Sequence, residues 1–173
     1  MVTAATLDYA VIDDPEYNEP EDFQEVSSFN HGYIQARLGI LFDRLTDYTP
    51  VNEVSLDVSR VDLSQFDLRT REEIKPDVCL YPKRGLSSPK DILRMTEMPL
   101  LAVEILSPKQ GLYEIVEKFR LYFALGVRSC WLVEPMLRNV TVYRASDEWQ
   151  TFTADTVIDD VLNLNIPLAE IFA

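Results

Sequence analysis

The chain has 173 residues, 47% of them hydrophobic and 26% charged, which fits one compact globular domain and excludes a low-complexity chain. Its 29 acidic residues outnumber the 16 basic ones, and the resulting net charge of −13 argues against nonspecific binding of nucleic acid. No apolar run approaches the roughly 20 residues of a membrane span, and the N-terminus does not resemble a signal peptide, so we expect a cytoplasmic protein with no membrane partner.

The acidic residues are distributed unevenly along the chain. Residues 1–25 contain eight carboxylates and no Lys or Arg, and two prolines interrupt any periodicity there. Without this segment, 21 acidic residues remain against 16 basic ones. We therefore predict an acidic N-terminal arm at 1–25, followed by a single domain at 26–173.

The first regular element in the sequence is a helix. Apolar residues recur at spacings of three and four from Ile34 to Leu45, which predicts a helix over residues 31–45 with Ser28 or Asn30 as its N-cap. Alternating apolar and polar residues then predict a half-buried strand at 54–58.

Two further strands follow before the next helix. Residues 76–81 alternate until Pro82, which predicts a short strand. Residues 83–98 are polar and predict a loop, in which 89–95 is a candidate short helix. The segment 100–106 is apolar on both faces except for Glu104, the pattern of a central strand buried above and below. Cys79 and Cys130 each lie in an apolar run, and buried free thiols are expected there rather than a disulfide.

A second helix is predicted at residues 112–125, because apolar residues line one stripe and Gly126 follows as a C-terminal stop. Strands are predicted after it at 130–133, 140–143 and 149–152, with Asn139 turning the first two into a hairpin. Residues 161–172 indicate a short strand or turn. A helix between two strands favours a crossover, so the fold class is mixed α/β, with a central mixed sheet flanked by helices.

Two carboxylates in this pattern are candidates for chemistry. Glu104 lies inside a buried strand, where a carboxylate is costly unless it is paired; a structural ion pair, a metal ligand and a general base all explain it. Asp77 begins a strand, as Asp often does beside Pro. Adjacent strands lie about 4.8 Å apart, so the two carboxylates can share one cation, and oxygen ligands suit Mg²⁺ or Mn²⁺.

One lysine on the second helix is a candidate cationic partner. Lys118 lies four residues after Glu114, a spacing that also suits an ordinary ion pair on a solvated helix face. Arg120 and Lys109 are weaker candidates for the same role.

Several short motifs follow one another in a fixed order along the chain. They are Pro76-Asp77, Glu104-Ile105-Leu106-Ser107-Pro108, Glu114 with Lys118, Tyr122, Gly126-Val127 and Cys130-Trp131-Leu132-Val133-Glu134-Pro135. This ordered series resembles the Uma2 family, also called DUF820, a branch of the PD-(D/E)XK nuclease superfamily. The resemblance covers about residues 74–145, with weaker agreement around His31. Glu114 and Glu134 stand where the family usually has Asp.

This resemblance implies a restriction-endonuclease-like core and a metal-dependent endonuclease acting on nucleic acid, with DNA as the expected substrate. Asp77 and Glu104 would hold Mg²⁺ or Mn²⁺, with the Ile105 carbonyl as a further ligand. Lys118 would orient or activate the attacking water, or neutralise the charge that develops on phosphorus. His31 would transfer a proton, contact substrate, or simply begin the helix. The resemblance further implies a symmetric homodimer.

Two other functions remain compatible with the sequence. The acidic composition also fits a non-catalytic interaction module on a nuclease-derived scaffold, and a small-molecule hydrolase would use the same residues inside a closed pocket. Basic residues on both sides of Asp77 would favour a nucleic-acid groove, unless they are scattered loop charges. These residues are Arg60, Arg69, Arg71, Lys75, Lys83 and Arg84.

Overall fold

The computed structural model describes residues 28–68, 70, 72–86, 90–108 and 110–173. The predicted acidic arm lies outside these residues, as do Arg69, Arg71 and Lys109. The helices are α1 (Phe29–Asp43), α2 (Leu112–Leu125) and α3 (Leu168–Ile171), with a short 3₁₀ turn at Leu63–Gln65. The strands are β1 (Tyr48–Asn52), β2 (Leu56–Asp57), β3 (Glu73–Ile74), β4 (Val78–Pro82), β5 (Leu101–Ile105), β6 (Ser129–Glu134), β7 (Asn139–Ala145), β8 (Glu148–Phe152), β9 (Thr156–Asp159) and β10 (Leu164–Pro167).

The helix α1 begins where its capping residue predicts. The Ser28 side chain accepts a hydrogen bond from the backbone N–H of His31 at 3.2 Å, so Ser28 is the N-cap. The observed bounds of α1 differ from the predicted 31–45 by two residues at each end. None of the helices in the described part of the chain is long and apolar enough to cross a membrane.

The main sheet has six strands in the order β1-β4-β5-β6-β7-β8. Strands β5 and β6 are parallel and are joined by α2, whereas the other neighbouring pairs are antiparallel. The predicted crossover and the predicted mixed sheet are therefore confirmed. A crossover helix must pass over one face of the sheet, and this is how α2 comes to lie against β6.

The two long helices cover opposite faces of the sheet. Alternate residues of β5 point to opposite sides: Val103 and Ile105 pack in the cluster that contains α1, and Ala102 packs in the cluster that contains α2. All five residues of β5 are buried, as a strand covered on both faces requires. Cys79 and Cys130 are buried free thiols, as predicted.

Three predictions before α2 need correction. The strand predicted at 54–58 is only β2, which pairs with β3 in a separate two-stranded sheet. The edge strand β1 was not predicted, because Pro50 interrupts its pattern and its residues are only half-buried. The predicted short helix at 89–95 is wrong for the residues described there, since Met95 instead exchanges backbone hydrogen bonds with Ser55 and Asp57.

The C-terminal predictions also differ from the structure. Arg138, with φ of 50°, lies in the turn of the β6–β7 hairpin, and Asn139 is the first residue of β7 opposite Glu134. The segment predicted as a short strand or turn contains β10 and then α3. Strand β9, which pairs with β10, was missed because a four-residue strand gives too short a pattern to recognise.

The end of α2 depends on a glycine. Gly126 has φ of 99°, a left-handed conformation that costs an L-residue about 1–2 kcal/mol. We expect Gly126→Ala to lower the free energy of unfolding by about that amount in urea titrations.

Gly39 provides the matched control within α1. An added Cβ there would meet only the Asn52 side chain, at 4.0 Å, which is an ordinary contact. Because alanine favours helix over glycine by about 0.5–1 kcal/mol, Gly39→Ala should raise the free energy of unfolding. A loss of stability at both positions would mean that backbone conformation does not decide the effect.

Candidate functional site

The site is built on the antiparallel pairing of β4 with β5. Val78, the first residue of β4, lies opposite Val103, so the residue before Val78 and the residue after Val103 meet at this end of the pair. Those residues are Asp77 and Glu104, and both are buried, with exposed fractions of 7% and 2%. The strand register therefore places two carboxylates side by side under the covering helices.

The Asp77 carboxylate is held from two directions. Its Oδ2 accepts a hydrogen bond from the backbone N–H of Ile105 at 2.6 Å, and its Oδ1 lies 3.1 Å from His31 Nε2. Its backbone carbonyl accepts hydrogen bonds from Gln35 Nε2 at 3.0 Å and from the Glu53 N–H at 3.2 Å. The helix α1 and the end of β1 thus fix the main chain and the side chain of Asp77 together.

The Glu104 carboxylate is held by α2. Lys118 Nζ lies 3.0 Å from its Oε2, and the Tyr122 hydroxyl donates to its Oε1 at 2.6 Å. Lys118 and Tyr122 are four residues apart, so both project from the same face of the helix toward β5. The structural ion pair considered for Glu104 is present, and its partner is the lysine that the family resemblance assigns to the site.

Burial raises the pKa of Glu104 to about 7. The Lys118 charge lowers this pKa, the neighbouring Asp77 raises it, and the hydrogen bonds from Tyr122 and Lys118 lower it. Lys118 therefore does not fully offset the cost of burying this carboxylate, to which the neighbouring Asp77 adds. Burial also raises the pKa of Tyr122 well above its usual range, so its hydroxyl stays protonated and donates.

The side-chain atoms of the site that could bind a metal ion are carboxylate oxygens. Burial, with the Glu104 charge as a second cause, raises the pKa of both Cys79 and Cys130 well above the usual value, so neither thiol supplies a thiolate. Within the described residues, no three His, Cys, Asp or Glu side chains are grouped so as to hold a metal ion. Two carboxylates with spare lone pairs nevertheless fit Mg²⁺ or Mn²⁺, since Mg²⁺ keeps several waters and needs only one or two carboxylates.

The structure brings the predicted site residues together in two pairs, His31 with Asp77 and Lys118 with Glu104. Ile105 contributes its backbone N–H to Asp77. Tyr122 was not predicted as a site residue, although its spacing from Lys118 placed it on the correct helix face.

Sequence reasoning also missed two polar residues at the edge of the site. Gln35 Nε2 bridges the Asp77 carbonyl and Glu53 Oε1, at 3.0 Å in each case. Glu53 adopts φ of 51°, an uncommon conformation for a residue other than glycine. The sequence held no indication of that conformation.

Two of the basic residues that flank Asp77 in the sequence pair with glutamates. Lys75 pairs with Glu73 at 3.1 Å, and Arg84 pairs with Glu97 at 2.7 Å. Two surface cavities of about 320 and 400 Å³ lie elsewhere, one beside the N-terminus of α1 and one between α2 and β8. Asp77 and Glu104 line neither of them, so neither is the closed pocket that a small-molecule hydrolase at this site would need.

The fold belongs to the mixed α/β class, and two carboxylates lie at one end of its central strands β4 and β5. The family comparison makes this more specific. A model of the Uma2 family, described as "Putative restriction endonuclease", matches residues 17–169, and the chain belongs to that family.

A solved structure supports the fold assignment. A crystal structure of a "putative nuclease belonging to DUF820" from Anabaena variabilis ATCC 29413 is similar to this chain, with a TM-score of 0.65 and 17% sequence identity. The similarity covers 84% of this chain and 81% of the other. No curated protein matches the sequence.

The raised pKa of Glu104 predicts a particular pH dependence of stability. The unfolded carboxylate ionises near pH 4.5 and the folded one near pH 7, so folding retains a proton between these values and stability falls as pH rises through them. We expect Glu104→Gln to gain stability relative to the wild type, on the order of 2 kcal/mol, between pH 5 and pH 8. Urea titrations in the presence of a chelator measure this difference.

Glu117 is the matched control, because it is another buried carboxylate and lies on α2 rather than on β5. Its hydrogen bonds with Arg120 lower its pKa, so its contribution to stability is fully present above pH 4.5 and is lost only as pH falls below that value. Glu117→Gln should therefore shift stability equally at pH 5 and pH 8. A pH-independent difference for Glu104→Gln would contradict the raised pKa.

Proposed function

We propose that this chain is a metal-dependent endonuclease that hydrolyses phosphodiester bonds of nucleic acid, with DNA as the expected substrate. The observation that carries the proposal is the closeness of two buried carboxylates, Asp77 and Glu104, with Lys118 against Glu104. A structural ion pair needs one carboxylate and one cation. The second buried carboxylate, which His31 contacts, adds repulsion that a bound divalent cation would offset.

The proposed cation is Mg²⁺ or Mn²⁺, held by Asp77 and Glu104 with the Ile105 carbonyl as a candidate third ligand. When bound, such an ion lowers the pKa of its water and polarises a phosphoryl oxygen. The protein supplies the rest of the proposed chemistry: Lys118 is the buried cation that offsets negative charge developing on the phosphoryl group.

His31 is proposed to act on the same site through Asp77. Its Nε2 lies 3.1 Å from Asp77 Oδ1, so it orients the carboxylate and is placed to transfer a proton at that atom. Because this histidine is in the first turn of α1, the capping bond from its own backbone N–H to Ser28 also fixes its position.

A second candidate function is a non-catalytic interaction module, which the net charge of −13 favours. In the described residues near Asp77, Lys75 and Arg84 both pair with glutamates, which weakens the basic surface that nucleic acid would require. The endonuclease proposal includes a symmetric homodimer, because cutting both strands of a duplex uses two related sites. Sedimentation equilibrium tests that part separately.

The first test is thermal unfolding with and without millimolar Mn²⁺ or Mg²⁺. An ion present at 100 times its dissociation constant should stabilise the wild type by about 2.7 kcal/mol. Asp77→Asn and Glu104→Gln should lose this response, because each removes one charged ligand. Glu117→Gln, which changes a buried carboxylate outside the site, should retain it. A wild type that responds to neither ion would favour the interaction module.

The second test separates ion binding from catalysis. Supercoiled, linear and single-stranded DNA, and RNA, are incubated with the wild type and with Lys118→Met. We expect the variant to keep the ion-induced stabilisation but to cleave about 100-fold more slowly, the usual effect of removing one transition-state contact. Ion binding without cleavage of any of these substrates would overturn the endonuclease proposal and leave a metal-binding module.

A further inference from the structure

The Tyr122 hydroxyl contacts the carboxylate that the proposed function assigns to the cation. It donates to Glu104 Oε1 at 2.6 Å, while Lys118 contacts the other oxygen, Oε2, at 3.0 Å. We infer that Tyr122 is a positioning residue, which fixes the Glu104 carboxylate in the orientation that binds the cation. This inference rests on the proposed function and goes beyond it, because it assigns a role to a residue outside the acidic and cationic set.

The two donors on α2 constrain the carboxylate differently. Lys118 reaches Glu104 through a flexible four-carbon chain, whereas the Tyr122 hydroxyl stands at the end of a rigid ring with only two rotatable side-chain bonds. A carboxylate held at both oxygens cannot rotate about its terminal bond without breaking a contact. The tyrosine is therefore the donor that defines the plane of the carboxylate, and the lysine adjusts to it.

The position of Tyr122 is itself tightly fixed. The side chain is fully buried, and its ring contacts the Phe119 ring at a centroid distance of 6.4 Å. Its backbone carbonyl accepts a hydrogen bond from the Val127 N–H at 3.0 Å, which the left-handed conformation of Gly126 makes possible. The hydroxyl is thus held by the end of α2 and by the core, independently of Glu104.

A purely structural role would give a different result on substitution. Tyr122→Phe preserves the ring and removes only the hydroxyl, so the ring packing remains and Glu104 Oε1 loses a donor. The matched control is Tyr81→Phe, because Tyr81 is also buried, with an exposed fraction of 1%, and its hydroxyl donates to the Glu97 carbonyl at 3.3 Å, away from the carboxylates. Both variants lose one tyrosine hydroxyl that donates a hydrogen bond.

The test is calorimetric titration of Mn²⁺ alone into the wild type and the two variants, at a temperature where urea titrations show all three to be folded. We expect Tyr122→Phe to weaken Mn²⁺ binding by about 10-fold or more, the usual effect of removing a residue that orients a metal ligand. Tyr81→Phe should bind Mn²⁺ like the wild type, even where it costs as much stability.

The other outcomes overturn the inference in distinguishable ways. Equal Mn²⁺ affinity of Tyr122→Phe and wild type removes the positioning role and leaves the proposed function intact. An equal loss in Tyr122→Phe and Tyr81→Phe assigns the effect to the core rather than to the carboxylate. A wild type that does not bind Mn²⁺ overturns the proposed cation site and the positioning role together.

Discussion

The burial of two carboxylates on neighbouring strands is the constraint on which the rest of the site depends. Asp77 and Glu104 lie close together at one end of the β4–β5 pair, and each is almost inaccessible to water. Placing like charges in such a position is costly, so each must be held by several donors. The site meets this requirement with a backbone N–H and His31 at Asp77, and with Lys118 and Tyr122 at Glu104.

The layered fold explains why these donors come from both sides of the sheet. The helix α1 packs on one face and brings His31 to the start of β4, whereas α2 packs on the opposite face and brings Lys118 over β5. The parallel pairing of β5 with β6 requires a crossover connection, and α2 forms it. The connection that makes the sheet mixed is thus also the element that supplies Lys118 to the buried glutamate.

The sequence predicted which residues and elements form the site better than it predicted the contacts between them. Glu104 was recognisable because it interrupts an apolar strand, and α2 because its apolar stripe ends at a glycine. The contact of Tyr122 with Glu104 was not predictable, since a tyrosine on an apolar stripe is usually a core residue and the pair is separated by 18 residues. The conformation of Glu53 depends on hydrogen bonds from Gln35 and to Asp77 that form only in the folded chain. Local periodicity carries no information of that kind.

The acidic composition and the proposed nuclease activity can be reconciled at the site itself. The Lys118–Glu104 contact does not distinguish a structural ion pair from a catalytic site, because both contain it. That ion pair alone does not account for the second buried carboxylate, Asp77, which His31 contacts at 3.1 Å. A divalent cation added there would make this point on the protein positive and attractive to phosphate. Under the proposed function, nucleic-acid affinity would therefore depend on the cation more than on surface lysines and arginines, several of which already pair with glutamates.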